Sequence, residues 1–451
     1  MIRTMIRFSV VFPVLGAVLL LAAAMLPNQV LAADVTIIHA KTLLAVPGQA
    51  PLTEQSIIIR DGIITGIRAG YIGPEDLAED LADAGTSTGE VEVIHLMDHF
   101  VMPGLMDMHV HLTGELGPRR KLERVEMSKS AQAVRGLMFA RRTLDAGFTT
   151  VRNLGADQEV INAMRDGIAR GYILGPRIIA SGGVSATGGH GDVSGFRPEI
   201  LEMFTSDTIC NGPYDCRRAV RQAIKNGADI IKITATGGVL SDVATGTGQQ
   251  LTDDELAEIV ATAHSLGRKV AAHAHGAGGI LAALRAGVDS IEHGTFTDKA
   301  AIRLFKRNGA WLVPTMLAGE TVVQMAKESD FFSPAIKAKA LSVGSQMMST
   351  HKAAYEAGVN IAFGTDSGVS KHGTNAREFL LMRQIGMSEM EMLVAATVSG
   401  AELLGMSDTL GTIEVGKQAD IIATNGSPLE NIEELLDVDF VMKGGVVAKS
   451  K

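Results

Sequence analysis

The sequence predicts an α/β protein: a (β/α)8 TIM barrel with a small β-sandwich domain built from both termini. Three observations lead there. Between Val101 and Gly405, eight near-continuous apolar runs alternate with longer helical stretches. Such runs imply a parallel sheet covered on both faces, and eight of them imply a closed barrel. Both chain ends carry short alternating strands instead, which suggests one domain assembled from the two. Finally, polar residues collect at the C-terminal ends of the eight runs, where such a barrel places its chemistry.

In chain order, Arg3 and Arg7 precede an apolar run from Phe8 to Leu26 that closes on Val30-Leu31-Ala32. This reads as a signal peptide over residues 1–32, cleaved near Ala32. The run contains Pro13 and Gly16 and barely reaches the ~20 residues of a membrane span, so no stable membrane anchor is expected. The mature chain is expected to be exported to a bacterial periplasm. Residues 33–100 form the N-terminal part of the β domain, with strands over 35–39, 56–60, 62–68 and 92–96 and an acidic, Gly/Ser-rich loop over 73–89. The barrel occupies 101–405, with strands over 101–111, 149–153, 177–181, 229–235, 269–275, 290–293, 311–314 and 360–365. Between them, the stretch 253–266 opens on Thr252 as a cap and has an acidic first turn, a helix start. Gly147, Gly227, Gly287 and Gly358 stand where helices turn into strands. Residues 406–451 return to the β domain with strands over 411–414, 419–424, 438–443 and 445–448.

Composition narrows the function classes. The 451 residues are 46% hydrophobic, enough for a large core, which excludes general disorder. A net charge of −9 argues against a nucleic-acid partner, and 4% aromatics leaves little for stacking platforms. Further copies of the chain are expected as partners, in a homo-oligomer. Cys210 and Cys216 flank a five-residue stretch; a local disulfide and two free thiols both fit.

The first barrel strand ends Asp107-Met108-His109-Val110-His111. Alternation puts His109 and His111 on one face, a half-site for Zn²⁺, with Asp107 one layer deeper as a hydrogen-bond partner. Lys232 lies inside a strand that should be buried, so its amine must be paired, neutral or modified. A neutral amine can take up CO₂ as a carbamate able to bridge two metals; a salt-bridged lysine is the plainer alternative. Strand five ends in His273 and His275, strand six in His293 and strand eight in Asp366. Four of these histidines, with the lysine and the aspartate, form a two-metal cage of imidazole and oxygen ligands.

The order His-x-His, Lys, His, His, Asp resembles the amidohydrolase superfamily with a binuclear metal centre. The phrases Met102-Pro103-Gly104-Leu105-Met106-Asp107-Met108-His109-Val110-His111, Ile231-Lys232-Ile233-Thr234, Ala272-His273-Ala274-His275-Gly276, Ser290-Ile291-Glu292-His293-Gly294 and Gly364-Thr365-Asp366 are similar to its imidazolonepropionase-related branch, with prolidase-like dipeptidases and ochratoxin-degrading amidohydrolases. The resemblance implies that His109, His111 and Asp366 hold one divalent cation, His273 and His293 the other, with carboxylated Lys232 (N6-carboxylysine) bridging both. It implies two ions, Zn²⁺ by the imidazole-rich set. A water shared by two cations has its pKa lowered towards ~7, Asp366 serves as base and then acid, and the bond cleaved is a C–N amide in a dipeptide or N-acyl amino acid. His275 has no metal role in that pattern; it faces the substrate or donates to a neighbouring group. His190, in Thr187-Gly188-Gly189-His190-Gly191-Asp192, is a candidate for a substrate carboxylate or carbonyl, with His372 and Arg377 weaker ones. The segment 236–241 is expected in the pocket wall. Rival readings on the same residues are a lactonase or phosphotriesterase, and a binding protein that has lost hydrolysis.

Overall fold

The computed structural model describes residues 35–77, 91–241, 246–328 and 332–451. The expected leader over 1–32 and most of the acidic loop lie outside the described residues.

Four strands open the chain: β1 (Val35–Leu43), β2 (Leu52–Arg60), β3 (Ile63–Ala69) and β4 (Val91–Pro103). Eight barrel strands follow, interrupted by the two-residue β8: β5 (Leu105–Val110), β6 (Phe148–Asn153), β7 (Arg177–Ala186), β8 (Ile209–Cys210), β9 (Ile230–Thr234), β10 (Val270–Ala274), β11 (Ser290–His293), β12 (Trp311–Val313) and β13 (Asn360–Ile361). The chain closes with β14 (Ile421–Thr424), β15 (Phe440–Lys443) and β16 (Val446–Ser450).

The barrel strands pair in parallel in the order β5-β6-β7-β9-β10-β11-β12-β13. The ends meet where Met108 N donates to Phe363 O at 2.9 Å, Asp366 N to His109 O at 2.7 Å and His111 N to Ser367 O at 2.7 Å. The seam therefore lies beside His109, His111 and Asp366. Strands β5, β6, β9, β10 and β11 are buried along their whole length, which is why their sequences show apolar runs rather than alternation. The helix Asp253–Ser265 starts on Thr252 with a full capping box. The four expected helix-ending glycines all take positive φ: Gly147, Gly227, Gly287 and Gly358. β8 was not foreseen in the sequence; it lies off the barrel path against the end of β7.

The terminal strands form one seven-stranded sheet, β16-β15-β14-β4-β1-β2-β3, drawn from both chain ends. β4 is the shared piece: residues 91–101 pair with β1 and residues 100–103 with β14. The strand expected over 101–111 is thus two, broken at Gly104. There the chain turns inward against Thr149, and a Cβ would collide with that side chain. Residues 411–414 do not form a strand; Ile413 N donates to Ala45 O at 2.8 Å in an otherwise irregular segment. Cys210 and Cys216 are disulfide-bonded.

Candidate metal centre

Lys232 sits within β9, while the other predicted donors lie at or just beyond the ends of their strands, and three backbones there are left-handed without being glycine: His293 (φ 71°), Thr315 (φ 49°) and Asp366 (φ 55°). Such conformations cost about 1–3 kcal/mol each and persist only where surroundings impose them. Here they aim His293 and Asp366 into the barrel mouth. His351, from the helix Pro334–Glu356, donates its Nε2 proton to the His293 carbonyl at 2.6 Å and braces that turn.

Ring nitrogens facing outward are already engaged. His111 Nδ1 lies 2.9 Å from the Gly155 carbonyl, which can only accept, so this nitrogen carries the proton. His109 Nδ1 lies 2.9 Å from Glu292 Oε2, His293 Nδ1 2.7 Å from Thr315 Oγ1, and His275 Nδ1 2.8 Å from Thr295 Oγ1. With their Nδ1 atoms taken up by Glu292 and the Gly155 carbonyl, His109 and His111 turn their Nε2 atoms inward. These stand 3.5 and 3.1 Å from Asp366 Oδ1. Two imidazole nitrogens and a carboxylate oxygen thus converge on one point, the donor types a divalent cation takes. His273 Nε2 is likewise buried with no partner among the described residues, an unmet cost that a metal–nitrogen bond removes. The donor set fits a divalent metal of the Zn²⁺ type, and the outward bonds to carboxylate, carbonyl and hydroxyl are those that orient metal-binding imidazoles. Two groups of three buried donors lie within 4.8 Å of one another: His273, His275 and His293, and His109, His293 and Asp366. His275, expected to lack a metal role, lies within one of these groups, close enough to serve as a donor. His111 and Lys232 stand outside the two groups.

Electrostatics keep these groups in ligand form. Burial lowers His109 to about 4 and His275 to about 3, and takes His273 and His293 well below the ordinary value, so all four are neutral at pH 7. Burial pulls Lys232 down to about 8 against the opposing pull of Glu292 and Asp366. Burial would raise Asp366, but His109, His111 and Lys232 overcome it and hold the carboxyl below its usual range.

Asp107 plays the structural part expected of it. It accepts from His109 N, Thr365 N, Thr365 Oγ1 and Asn375 Nδ2 at 3.0, 3.1, 2.6 and 2.8 Å, tying the first strand to the loop that carries Asp366. Two residues escaped the sequence reading. Glu292 accepts from Arg152 Nη2 at 2.7 Å and from Ser290 Oγ at 2.5 Å while holding His109 with its other oxygen. Arg152 also donates to the Met108 carbonyl at 2.6 Å. Their signal was available, since both are charged residues inside buried strands, as is Lys232, and buried charges must pair.

His190 enters the site: its ring packs 4.5 Å from that of His273, and its Nδ1 is buried without a partner among the described residues. Burial first, then Lys232, lowers it to about 4, with Arg120 and Lys339 among the charges acting on it. The segment 236–241 lies beside it: Thr236 Oγ1 accepts from His275 N at 3.0 Å, and a Cβ on Gly238 would strike the His190 ring. The weaker candidates do not join. The His372 ring lies on Phe139 with Nε2 3.2 Å from the Gly114 carbonyl, and Arg377 is exposed and directed at Glu320. Beyond the donors, Leu116, Leu240, Phe296 and Val369, from four different strand-end loops, meet in one apolar cluster with the helices Met316–Glu328 and Pro334–Glu356. Two clefts of about 390 and 470 Å³ lie elsewhere, on the terminal sheet around His99 and Asn425.

Residues 100–448 match the model of the amidohydrolase family. The chain is 32% identical over 441 residues to the ochratoxinase of Aspergillus niger, covering 92% of this chain and 87% of that protein. A solved Xaa-Pro dipeptidase with methionine bound in its active site is 42% identical with a TM-score of 0.83, over 92% of this chain and 99% of that one. A prolidase complexed with N-methylphosphonate-L-proline is 29% identical with a TM-score of 0.80, over 92% and 100%.

Proposed function

We propose a reaction for this chain from one premise: it belongs to the amidohydrolase family and is a hydrolase of amide and other carbon–nitrogen bonds. Its substrates are dipeptides or N-acyl amino acids, and it cleaves the amide joining their halves. The observation that carries this reading is the convergence of His109 Nε2, His111 Nε2 and Asp366 Oδ1 beside His273 and His293 at the barrel mouth. Relatives named Xaa-Pro dipeptidase, prolidase and ochratoxinase support the substrate class.

His109, His111 and Asp366 would hold one divalent cation and His273 and His293 a second, with Lys232 bridging both as its carbamate. Two such ions, Zn²⁺ by the donor set, supply an activated water and a polarised carbonyl. The carbamate forms when the neutral Lys232 amine attacks CO₂ and releases a proton, and the burial that lowers Lys232 to about 8 favours that amine. Asp366, kept ionised, takes a proton from the attacking water at its carboxylate and returns it to the leaving nitrogen. His190 offers its unpartnered ring nitrogen to the substrate carboxylate or carbonyl, and the nearby charges of Arg120 and Lys339 favour an anion there. His275 stacks on His293 at 4.8 Å and is open both to substrate and to the second cation. The apolar cluster around Phe296 and Val369 gives an amino-acid side chain somewhere to lodge. Residues 1–32 act as a cleaved export leader.

The test is turnover by the zinc-loaded protein of dipeptides, N-acyl amino acids, lactones and phosphotriesters. Hydrolysis led by the amides is expected; turnover of lactones or phosphotriesters alone would overturn the reading.

A further inference from the structure

We infer that the Cys210–Cys216 disulfide sets the position of His190, so that thiol reduction of this chain weakens substrate binding while leaving the metal donors in place. The inference rests on the role given to His190 above, and its test separates the two.

The bond joins the end of β8 to the first turn of the helix Pro213–Lys225. That helix start is fixed on its other side, where Gly212 N donates at 2.7 Å to Oε1 of Glu255, the third residue of the next helix and the partner of Thr252 in its capping box. β8 in turn carries the loop that ends in His190. Ser185 and Ala186 of β7 pair with Ile209 and Cys210. The Cys210 carbonyl then accepts from Thr187 N at 3.1 Å and from Thr187 Oγ1 at 3.3 Å. Three residues on stands His190, its backbone N bonded to Gln250 Oε1 at 2.7 Å and its ring against His273. Among the described residues, β8 is two residues long and pairs only with β7. So short a strand is marginal by itself; the covalent link holds it to the helix, helped by Arg218 Nη2 donating to the Ile209 carbonyl at 3.0 Å and Asn211 N donating to Asp215 at 3.0 Å. Among the described residues, none of the proposed metal donors is seen to hydrogen-bond to β8 or to this loop; the outward ring bonds run to Glu292, Gly155, Thr295 and Thr315.

Reduction is balanced by an external phosphine and water: the protein S–S bond breaks to two thiols as the phosphine is oxidised to its oxide, water supplying the oxygen and the two protons. Both sulfurs belong to buried cysteines (Cys210 1% and Cys216 0% exposed), so the reductant acts through local opening of this segment.

The experiment uses the zinc-loaded full chain, oxidised, phosphine-reduced and as Cys210→Ser/Cys216→Ser, each with and without His190→Ala. Steady-state kinetics on a hydrolysed dipeptide, metal content and backbone hydrogen exchange over 187–192 are read in each. Reduction is expected to raise KM about tenfold with kcat and metal content nearly unchanged, to speed exchange over 187–192, and to be reversed by reoxidation. With His190→Ala in place, reduction should have little further effect, since coupled sites are not additive. Unchanged kinetics in protein shown by mass to be reduced would overturn the inference, as would an equal effect of reduction with and without His190, or a parallel loss of metal. Wild-type kinetics in oxidised His190→Ala would instead remove the role given to His190. Absence of any amide turnover would strike at the proposed reaction, and the exchange rates would then decide whether the disulfide holds the loop.

Discussion

Lys232 occupies the middle of a strand otherwise made of Ile and Thr, only 7% exposed, and that environment could be read from the sequence. A charge inside an apolar run is costly unless something compensates it. The same rule applied to Arg152 and Glu292 would have paired them, but partners 140 positions apart leave no local pattern. Only the closed barrel brings them within 2.7 Å. If Lys232 carries a carbamate, Lys232→Ala should lose activity and metal while keeping the fold. Short carboxylates or bicarbonate should restore part of it, and Lys232→Arg should stay inactive because guanidinium keeps its charge. A merely salt-bridged lysine would tolerate Arg better than Ala. Kinetics and elemental analysis of both variants check this. Glu292→Gln strands the Arg152 charge, and breaking a buried pair costs about 3–5 kcal/mol, measurable by urea unfolding of the metal-free protein at pH 7. Burial would raise Glu292, but Arg152 and His109 hold it at about 2, against an ordinary 4.5. A depressed carboxylate stabilises above its unfolded pKa and loses this as pH falls through the folded one. The gap between wild type and Glu292→Gln should therefore narrow from about pH 4.5 down towards pH 2.

Strands and helices were legible where one rule governed the segment. A strand buried on both faces reads as an apolar run, as β5, β9, β10 and β11 do, while the short β12 and β13 and the partly exposed β7 are marked by their flanking turns as well. Thr252 with Glu255 three residues on marks a helix start that the structure repeats bond for bond. What sequence could not show is where one element hands over to another. Residues 101–111 are uniformly apolar up to the histidines, yet they serve two sheets, because Gly104 lets the chain pass under Thr149. Gly364 is a second close approach: a Cβ there would press on Val313 and come within 3.2 Å of His109 N and 3.3 Å of His109 Cβ. Overpacking of this kind costs about 1–3 kcal/mol. Gly364→Ala is expected to lower the melting temperature and to weaken metal retention by displacing His109, read by thermal denaturation and by metal content after dialysis against a chelator.

The whole molecule is a barrel docked on a sheet that both chain ends complete. Arg177 on β7 donates to Asp420 at 2.6 Å, and Gly104 N donates to the Asp420 carbonyl at 2.9 Å, so one aspartate ties the two units together at the base of the first strand. The strand-rich ends were visible as alternation; their union in one sheet through β4 was not, because pairing across more than 300 residues has no local signature. At this scale the export reading predicts a native protein whose N-terminus lies near Ala33, and intact-mass analysis finding residues 1–32 retained would refute it. The central claim is that His109, His111, Lys232, His273, His293 and Asp366 act together as a two-metal centre for amide hydrolysis. Elemental analysis of the purified protein, on the same sample that turns over a dipeptide, tests this most directly. The result expected is two equivalents of divalent metal per chain, lost together with turnover in His109→Ala and His293→Ala. Full turnover in protein without stoichiometric metal would contradict it.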